Sequence, residues 1–461
     1  MKTQWKRTLI RPLKLRSLRK YYYFVVLLLI ALICFIAFTI QTHDIAEVHT
    51  NFNKLNIITK KRNDIKRQDL HPVDDGNAKL KESLKASSIE FEKYKVLLDK
   101  KKSTNLNYNV HVFYYPWYGN PLHDGKYKHW NHEYIKHWDK DVAKKWPNRT
   151  HAPPHDIGAS FYPALGAYSS RDPTIIDLHM KQLLYAGIGV IVVTWYPSEV
   201  AASNEDWLIG LFNIANSYDI KVTFHLEPYE GRSITTVRKD LVYIKRKYGS
   251  HPAFYTRTFR KRKLPVFYVY DSYLIGEAHW SQLLKPHKMS SIRGSGLDAF
   301  FVGLVVGEFD VAKISRSGFD AFYSYFASDG FTFGSSMNNW KLLKYRAAEK
   351  NMYFIPSVGP GYDDEQVRPW NSANTRRRTR GTYYRNHFEA ALEINPIIIT
   401  ITSFNEWHEG TQIEMAVPKK NVNFEYRNYL PNDPQFYLDL TATFVQKFKP
   451  PERNNHLNIT G

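Results

Sequence analysis

Short apolar runs and longer amphipathic segments alternate along the chain from about residue 108 onward. The short runs are rich in β-branched and aromatic residues and are bounded by turn residues, which predicts buried strands. In chain order they are VHVFYYPWY, IGVIVVTWY, KVTFHLEPY, PVFYVYDSY, DAFFVGLVV, FDAFYSYF, MYFIPSVGPGY and IIITITSFNEW. The segments between them have helical periodicity. One example is DPTIIDLHMKQLLYAG, in which Pro173 lies near the start and Gly187 just past the end.

This alternation predicts a parallel sheet whose strands are connected by helices. Eight strand and helix units over residues 109–451 fit a (β/α)8 barrel of the TIM type, which usually needs about 250 residues or more. The main alternative is a doubly wound open sheet. A G-x-G-x-x-G turn after the first predicted strand would favour that alternative, and the sequence has none there.

Several predicted strands end in polar or aromatic groups that a hydrophobic core would not select. In a barrel these ends share the C-terminal rim, where active sites form. Any single Tyr or Trp at a strand end could simply pack beneath a helix, but so many ends with a polar group favour a site. The residues concerned are Trp117, Tyr118, Trp195, Tyr196, His225, Glu227, Tyr229, Asp271, Tyr273, Tyr325, Glu406 and Glu409.

The N-terminal region has a different pattern. Residues 1–20 carry eight Lys or Arg and no acid, and residues 21–40 are apolar without a charge or a proline. About twenty such residues cross a bilayer as a helix, whereas a cleaved signal peptide has a shorter apolar core and a small-x-small cleavage site. Positive charge stays cytoplasmic. We therefore expect a single-pass type II signal anchor at 21–40, a lumenal stem at 41–108 and a short C-terminal tail at 452–461.

The formal net charge of +20 raises the possibility of a nucleic-acid partner. Much of the excess lies in residues 1–20, and no nucleic-acid-binding motif follows, so we predict no such partner. Cys34, the one cysteine, lies inside the predicted anchor, which leaves the lumenal part without disulfides. Two N-x-[ST] sequons, at Asn148 and Asn458, agree with a lumenal location.

The strongest chemical signal is TSFNEWHEGTQIE, which directly follows the last predicted strand. Glu406 and Glu409 are three residues apart on this loop and can converge on one site. Cleavage of a glycosidic bond needs one carboxylic acid to protonate the leaving oxygen and a second carboxylate across the bond. A glutamate in a loop is usually a solvated charge. A position after a buried strand and beside Trp407, which can raise a carboxyl pKa, favours catalysis.

Other kinds of site fit the sequence less well. His408, Glu409 and Glu414 could suggest a metal, but there is no H-E-x-x-H and the remaining histidines have no regular spacing, so we predict no metal and no cofactor. A serine hydrolase would need a G-x-S-x-G turn, which is absent. The 15% aromatic content suits sugar binding. A lectin would share the aromatic residues but would not need two acids on one loop.

The motifs taken together resemble the glycoprotein endo-α-1,2-mannosidase family. They extend from about His111 to Leu440 and comprise FYYPWYGNP, DIGASFYPALGAYSSRDP, TWYP, FHLEPY, FYVYDSY, GFDAFYSYF, FIPSVGPGY, RPWN and SFNEWHEGTQIE. The resemblance implies a metal-free (β/α)8 barrel on the lumenal side of the Golgi membrane. Its implied substrates are glucosylated high-mannose N-glycans on glycoproteins, from which it releases a glucosyl-mannose disaccharide with retention at the anomeric carbon.

The resemblance also implies roles for individual residues. Glu406 would deprotonate the mannose 2-hydroxyl, which then forms a 1,2-anhydro sugar, and Glu409 would be the general acid and later the general base. The residues alone equally allow Glu406 to be a direct nucleophile. The positions expected to bind sugar are Tyr115, Trp195, His225, Glu227, Tyr229, Tyr325, Arg368, Trp370 and Asn405.

Two segments depart from the family pattern. The loop that follows Trp195-Tyr196-Pro197 is shorter and less acidic than expected, and Gly307 stands where an acid is expected. Both departures fall near the predicted rim, so they leave the preferred glucosylated oligosaccharide open. An inactive or weak homologue that binds glycans as a lumenal lectin is the alternative function.

Overall fold

The computed structural model describes residues 105–451 apart from 198–199, 201–205, 260 and 423. Within these residues, no helix is both long enough and apolar enough to cross a membrane. The predicted basic tail, the anchor, almost all of the stem and the C-terminal tail with Asn458 lie outside the described residues.

The described residues form twelve strands, most of them short. In chain order they are β1 (Asn107–Tyr114), β2 (Tyr162–Pro163), β3 (Ile188–Trp195), β4 (Lys221–Leu226), β5 (Thr256–Phe259), β6 (Arg262–Val269), β7 (Phe300–Leu304), β8 (Ala321–Tyr323), β9 (Tyr353–Ile355), β10 (Ser357–Val358), β11 (Ile399–Ile401) and β12 (Ala416–Val417). All eight predicted strand runs are confirmed by these elements.

Nine of the strands form a nearly closed parallel barrel in the order β10, β11, β1, β3, β4, β6, β7, β8, β9. Only Pro356 separates β9 from β10. The first pairs with β8 and the second with β11, so the two are halves of one strand position. A proline lacks the N–H that would continue the ladder, which accounts for the interruption. The barrel thus has eight strand positions, consistent with the predicted (β/α)8 architecture.

A helix of eight or more residues follows each of the eight strand positions. The helices are α1 (Pro121–Asp124), α2 (Lys140–Lys144), α3 (Pro173–Tyr185), α4 (Asp206–Ser217), α5 (Ile234–Tyr248), α6 (Glu277–Leu284), α7 (Asp310–Ser317), α8 (Trp340–Glu349), α9 (Thr382–Glu393) and α10 (Phe436–Lys447). The start of α3 follows from local chemistry, because the Asp172 side chain accepts a hydrogen bond from the Thr174 N–H and Pro173 occupies the first turn.

Aromatic side chains fill the interior of the barrel. Phe113 on β1 lies 4.6 Å from the His225 ring on β4 and 5.7 Å from the Tyr323 ring on β8. Within this layer His225 Nε2 and the Tyr323 hydroxyl are hydrogen-bonded at 2.6 Å. The barrel is therefore a packed core, and a substrate can reach it only from an end.

A long insertion between β1 and α3 covers the C-terminal end of the barrel. It contains α1, α2 and β2, and β2 pairs antiparallel with β12, which follows the Glu406–Glu409 loop. Trp130 of the insertion stacks on Tyr118 at a centroid distance of 4.1 Å. The insertion and the loop after β11 thus form one packed layer above the strand ends.

Candidate active site at the C-terminal end of the barrel

The loop after β11 folds back on itself. The Ser403 N–H donates to the Thr411 carbonyl at 3.0 Å, and the Ile413 N–H returns a bond to the Ser403 carbonyl at 3.0 Å. The Phe404 N–H donates to the Phe113 carbonyl at 2.8 Å, which attaches the loop to β1. These bonds fix the backbone from which Glu406 and Glu409 project.

Glu406 is 3% exposed. Its Oε1 accepts a hydrogen bond from the His408 N–H at 3.1 Å, and its own N–H donates to Ser403 Oγ at 2.7 Å. Burial, followed by repulsion from Glu409, raises the pKa of Glu406 well above its usual value, while the His408 N–H and Arg368 oppose the rise. Whether Glu406 is ionised therefore depends on the charge of Glu409 and on the opposing His408 N–H and Arg368.

Glu409 lies beside Glu406 and is partly buried. Burial raises the pKa of Glu409 to about 7; Arg368 opposes this rise, and Asp364 and Glu227 add to it. Two adjacent carboxyls that repel each other titrate as a unit, and the first proton is lost more easily than the second. Near neutral pH the pair therefore combines one carboxylic acid with one carboxylate.

Arg368, which the sequence analysis selected as a sugar-binding residue, places a positive charge near both glutamates. Its Nη1 donates to Asp364 Oδ2 at 3.1 Å. Although burial opposes it, the charge of Glu409 together with Asp364 holds the pKa of Arg368 above its usual range. Asp364 was missed by the sequence analysis. The four-residue spacing between Asp364 and Arg368, in the segment that follows β10, is the signal that could have revealed it.

Glu227 supplies a third carboxylate at the end of β4. Its Oε1 accepts from Thr194 Oγ1 at 3.1 Å and lies 2.9 Å from His225 Nδ1. His225 is fully buried and its Nε2 pairs with Tyr323, while its Nδ1 faces Glu227 without a hydrogen bond of good geometry among the described residues. The electrostatic contribution of Glu227 to both Glu406 and Glu409 places it in the same cluster.

Two expected tyrosines join this cluster. The Tyr115 and Tyr325 hydroxyls are hydrogen-bonded to each other. Burial, and then the charges of Glu227, Glu406 and Glu409, raise the pKa of Tyr115 well above its usual value. Tyr270, which the sequence analysis did not select, packs 4.8 Å from the Tyr325 ring and is also near Glu409. Its position just after β6 was the available signal.

Two other expected sugar-binding residues have different surroundings. Asn405 is fully buried, and its side-chain amide bonds the Tyr115 backbone through both atoms, at 2.7 and 2.9 Å. Asn405 thus fixes the backbone of Tyr115. Trp370 lies at the outer edge, where its Nε1 donates to the Ile135 carbonyl at 2.9 Å and its ring is 4.6 Å from His137.

Tyr229 is directed away from the carboxylates, since its hydroxyl donates to Asp240 Oδ2 on α5 at 2.6 Å. We expect Tyr229→Phe to lower the free energy of unfolding by about 1 kcal/mol, the value of one hydrogen bond, and to change kcat/KM less than about twofold. Tyr325→Phe removes the same atom beside the glutamates and is expected to lower kcat/KM about tenfold. Denaturant titration and steady-state kinetics measure both variants. A large rise in KM for Tyr229→Phe would instead place Tyr229 against the sugar.

A cleft of about 710 Å³ opens at the ends of β1 and β3. Trp195, expected to bind sugar, lines it together with Trp117, Tyr196, His129 and Trp207. The electrostatic effect of Glu406 on Tyr196 and the 4.8 Å contact between Trp117 and Tyr115 connect the cleft to the carboxylates. The volume is typical of ligand pockets, and flat aromatic walls suit the apolar faces of sugar rings.

The histidines of the insertion do not form a metal site with the loop. His129 and His132 lie 5.8 and 5.0 Å, ring to ring, from His408. His408 Nδ1 is 2.7 Å from the Gly158 carbonyl, and burial lowers the pKa of His408 well below its usual value. Among the residues that the structure describes, no three His, Cys, Asp or Glu side chains are grouped so that they could hold a metal ion.

Comparison with known proteins agrees with this site. The family model of Glycosyl hydrolase family 99 matches residues 105–450. The chain belongs to this family. It is therefore a glycosidase, as its two carboxyls predict.

The relatives of this family 99 chain include the glycoprotein endo-alpha-1,2-mannosidase of Xenopus laevis, 49% identical over 76% of this chain and 79% of that protein. The Rattus norvegicus enzyme of the same name is 51% identical over 74% of this chain and 75% of that protein. Among solved structures, the GH99 endo-alpha-mannosidase from Bacteroides thetaiotaomicron superposes with a TM-score of 0.70 and 43% identity, covering 75% of this chain and 98% of that one.

Gly307, where the family resemblance leads one to expect an acid, follows β7. Its N–H donates to Asp310 Oδ2 at 2.6 Å, and the Val306 N–H donates to the same oxygen at 3.1 Å. This family 99 member thus has a carboxylate at that place in the fold, but Asp310 supplies it from the first turn of α7 and directs it at the backbone.

Proposed function

We propose that the chain is a retaining endo-α-1,2-mannosidase acting on immature N-glycans. It cleaves next to the glucosylated mannose and releases glucosyl-α-1,3-mannose. The observation that carries this proposal is the coupled pair of Glu406 and Glu409 at the barrel end, with Arg368 beside it. The shared name of the curated relatives supports the choice of an endo-acting mannosidase.

The two carboxyls divide the chemistry between them. In the productive state the proton held by the pair lies on Glu409, which donates it to the leaving glycosidic oxygen, while Glu406 is ionised. Glu406 takes the proton of the mannose 2-hydroxyl, whose oxygen attacks the anomeric carbon to form a 1,2-anhydro sugar. In the second step Glu409 deprotonates a water that opens this ring, and Glu406 returns its proton to the 2-oxygen. Two inversions give net retention.

A direct attack by Glu406 is the competing route, and a substrate lacking the 2-hydroxyl separates the two. A glycan with 2-deoxymannose at the cleaved position has no oxygen to form the anhydro ring. Our proposal predicts that the protein turns over the parent glycan and shows no detectable turnover of this analogue. Cleavage of the analogue with a covalent adduct on Glu406 would establish Glu406 as the nucleophile.

We further propose that the protein is a type II protein of the Golgi membrane, anchored by residues 21–40, with the barrel in the lumen. The apolar and basic pattern of residues 1–40 supports this topology. Asn148 is exposed on the insertion and is accessible for glycosylation. In this location the partners of the protein are glycoproteins that carry glucosylated high-mannose glycans. Protease protection of the barrel in sealed Golgi vesicles tests the topology, and digestion without detergent would contradict it.

The function is tested with the full-length chain in detergent micelles. It is incubated with a high-mannose glycan bearing one terminal glucose, in the presence of EDTA, and products are resolved by mass and by NMR of the anomeric proton. Release of a glucosyl-mannose disaccharide with retained configuration is the expected result. Glycan that stays bound and intact would show a lectin, and inversion or release of free glucose would show another glycosidase.

A further inference from the structure

A second cavity lies behind the loop that carries Glu409. Its volume is about 210 Å³, and it opens beside the 3-10 turn Thr379–Gly381. The charged residues in its lining are Arg376, Arg377, Arg378, Arg380, Arg427 and Asp363. Five arginines and a single carboxylate thus lie around one small space, and of these arginines Arg376 already donates to the carbonyls of Asp329, Ala373 and Thr375. Such a concentration of positive charge is costly unless anions offset it.

Arg378 is the buried member of this group, with 9% of its surface exposed. Its guanidinium lies over the rings of Phe161 at 4.4 Å and Tyr437 at 4.5 Å. Its Nη2 donates to the Gly410 carbonyl at 2.9 Å and to the Gln412 carbonyl at 2.7 Å. Among the described residues no group accepts a hydrogen bond of good geometry from its Nε or Nη1, although the Tyr437 hydroxyl lies near enough to interact with the guanidinium. Buried donors of this kind are normally paired, so these two point to an absent acceptor.

The two exposed arginines of the turn are available to the same acceptor. Among the described residues, neither the Arg377 nor the Arg380 side chain has a carboxylate partner. By contrast, Arg427 Nε is 2.6 Å from Asp363 Oδ2, so that carboxylate is already engaged. The charge of the turn is therefore not balanced from within the described part of the chain.

We propose that this cavity binds a phosphate or sulfate anion, free or as a monoester on a sugar. Guanidinium groups form paired, parallel hydrogen bonds with such oxygens, and Arg is the preferred side chain for that geometry. The cavity exceeds the ~30 Å³ of one water severalfold and so admits a tetrahedral anion with a small attached group. The rings of Tyr429 and Tyr437 are buried and lie against the Arg378 guanidinium, at 5.1 and 4.5 Å.

Occupancy of this site would act on the catalytic loop. Arg378 bonds the carbonyl of Gly410, the residue after Glu409, and the Asp363 N–H donates to the Glu409 carbonyl at 2.7 Å. A bound anion would fix Arg378 and so the backbone that carries the general acid. The structure thus contains a site from which an anion can stabilise the active conformation.

The test measures thermal unfolding of the full-length chain in detergent, with phosphate or sulfate titrated against chloride at equal ionic strength. We expect phosphate or sulfate to raise the melting temperature by about 2–4 °C at saturation. The double variant Arg377→Ala/Arg380→Ala should lose this rise. The matched control removes two other exposed arginines, Arg246→Ala/Arg385→Ala, on α5 and α9, and should keep it. This readout needs no turnover, so it is independent of the proposed function.

Two results would overturn the proposal. One is the same rise in both double variants, which would place the anion elsewhere, for example on Arg368. The other is no rise beyond the chloride control in the unaltered chain. The source of the anion is resolved by a high-mannose glycan carrying a phosphomonoester. Tighter binding of this glycan than of its unphosphorylated form, abolished in the Arg377/Arg380 variant, indicates a substrate-borne phosphate. Equal binding indicates a free anion.

Discussion

Glu409→Gln is expected to lower kcat/KM by about 10³–10⁴-fold, because the amide cannot donate a proton to the leaving oxygen. Glycan binding should persist, since the substitution keeps the size of the side chain and leaves Arg368, Glu227 and the Tyr115–Tyr325 pair in place. Steady-state kinetics and isothermal titration with the intact glycan measure the two quantities separately.

The raised pKa of Glu409 adds a dependence on pH. In the unaltered protein kcat/KM should fall as pH rises through about 7, where Glu409 loses its proton. The same shift affects stability. In the folded state Glu409 holds its proton up to about pH 7, whereas in the unfolded chain it does so only up to about pH 4.5. The stabilisation of the folded state by this protonated carboxyl is therefore fully present below pH 4.5 and is lost as the pH rises through 7. Glu409→Gln, which stays neutral, should therefore raise the melting temperature above pH 7 by about 2–6 °C.

The control for these measurements is Glu389→Gln, which changes an exposed glutamate on α9 in the same way. It should leave kcat/KM, its pH profile and the melting temperature unchanged. Residual activity of Glu409→Gln within tenfold of the unaltered protein would show that another group is the acid. A lower melting temperature above pH 7 would show that the ionised carboxyl is stabilised in the folded state.

The sequence allowed the barrel to be predicted because its signals are local. Each strand run is a short apolar segment bounded by turn residues, and β3 is buried along its whole length as a parallel strand should be. The break at Pro356 could also be read from the chain, since a proline cannot continue a ladder. Glu406 and Glu409 were found for the same reason, as charges placed directly after an apolar run.

Contacts between distant segments were not predictable from such patterns. Asn405 stands next to Glu406 in the chain, yet its amide is used on the backbone of Tyr115, 290 residues away. Tyr229 follows a strand end like the other candidates, but its hydroxyl reaches Asp240 on the next helix. Both positions match a sequence motif, and only the three-dimensional arrangement separates a side chain that meets the ligand from one that supports it.

Glu414→Ala is expected to be among the most destabilising single substitutions in the barrel. The Glu414 carboxylate is fully buried and accepts from the Tyr168 hydroxyl at 2.9 Å, from Trp407 Nε1 at 3.0 Å and from His179 Nε2 at 3.2 Å. Alanine would leave the Tyr168 hydroxyl and His179 Nε2 buried without this acceptor and would leave Trp407 Nε1 only its 3.2 Å bond to the Tyr168 hydroxyl, at a cost of about 3–5 kcal/mol. The melting temperature should fall by about 6–10 °C.

The same substitution should lower kcat more than it raises KM, because Trp407 lies in the chain between Glu406 and Glu409 and its ring N–H loses the shorter of its two hydrogen bonds. Glu414→Gln retains one acceptor oxygen and should recover about half of the lost stability. Glu425→Ala removes an exposed glutamate from the following segment and should change neither quantity. If Glu414→Ala kept both its melting temperature and its kcat, then Trp407 would be held by packing alone. The network below the catalytic loop would then have no part in placing the two carboxyls.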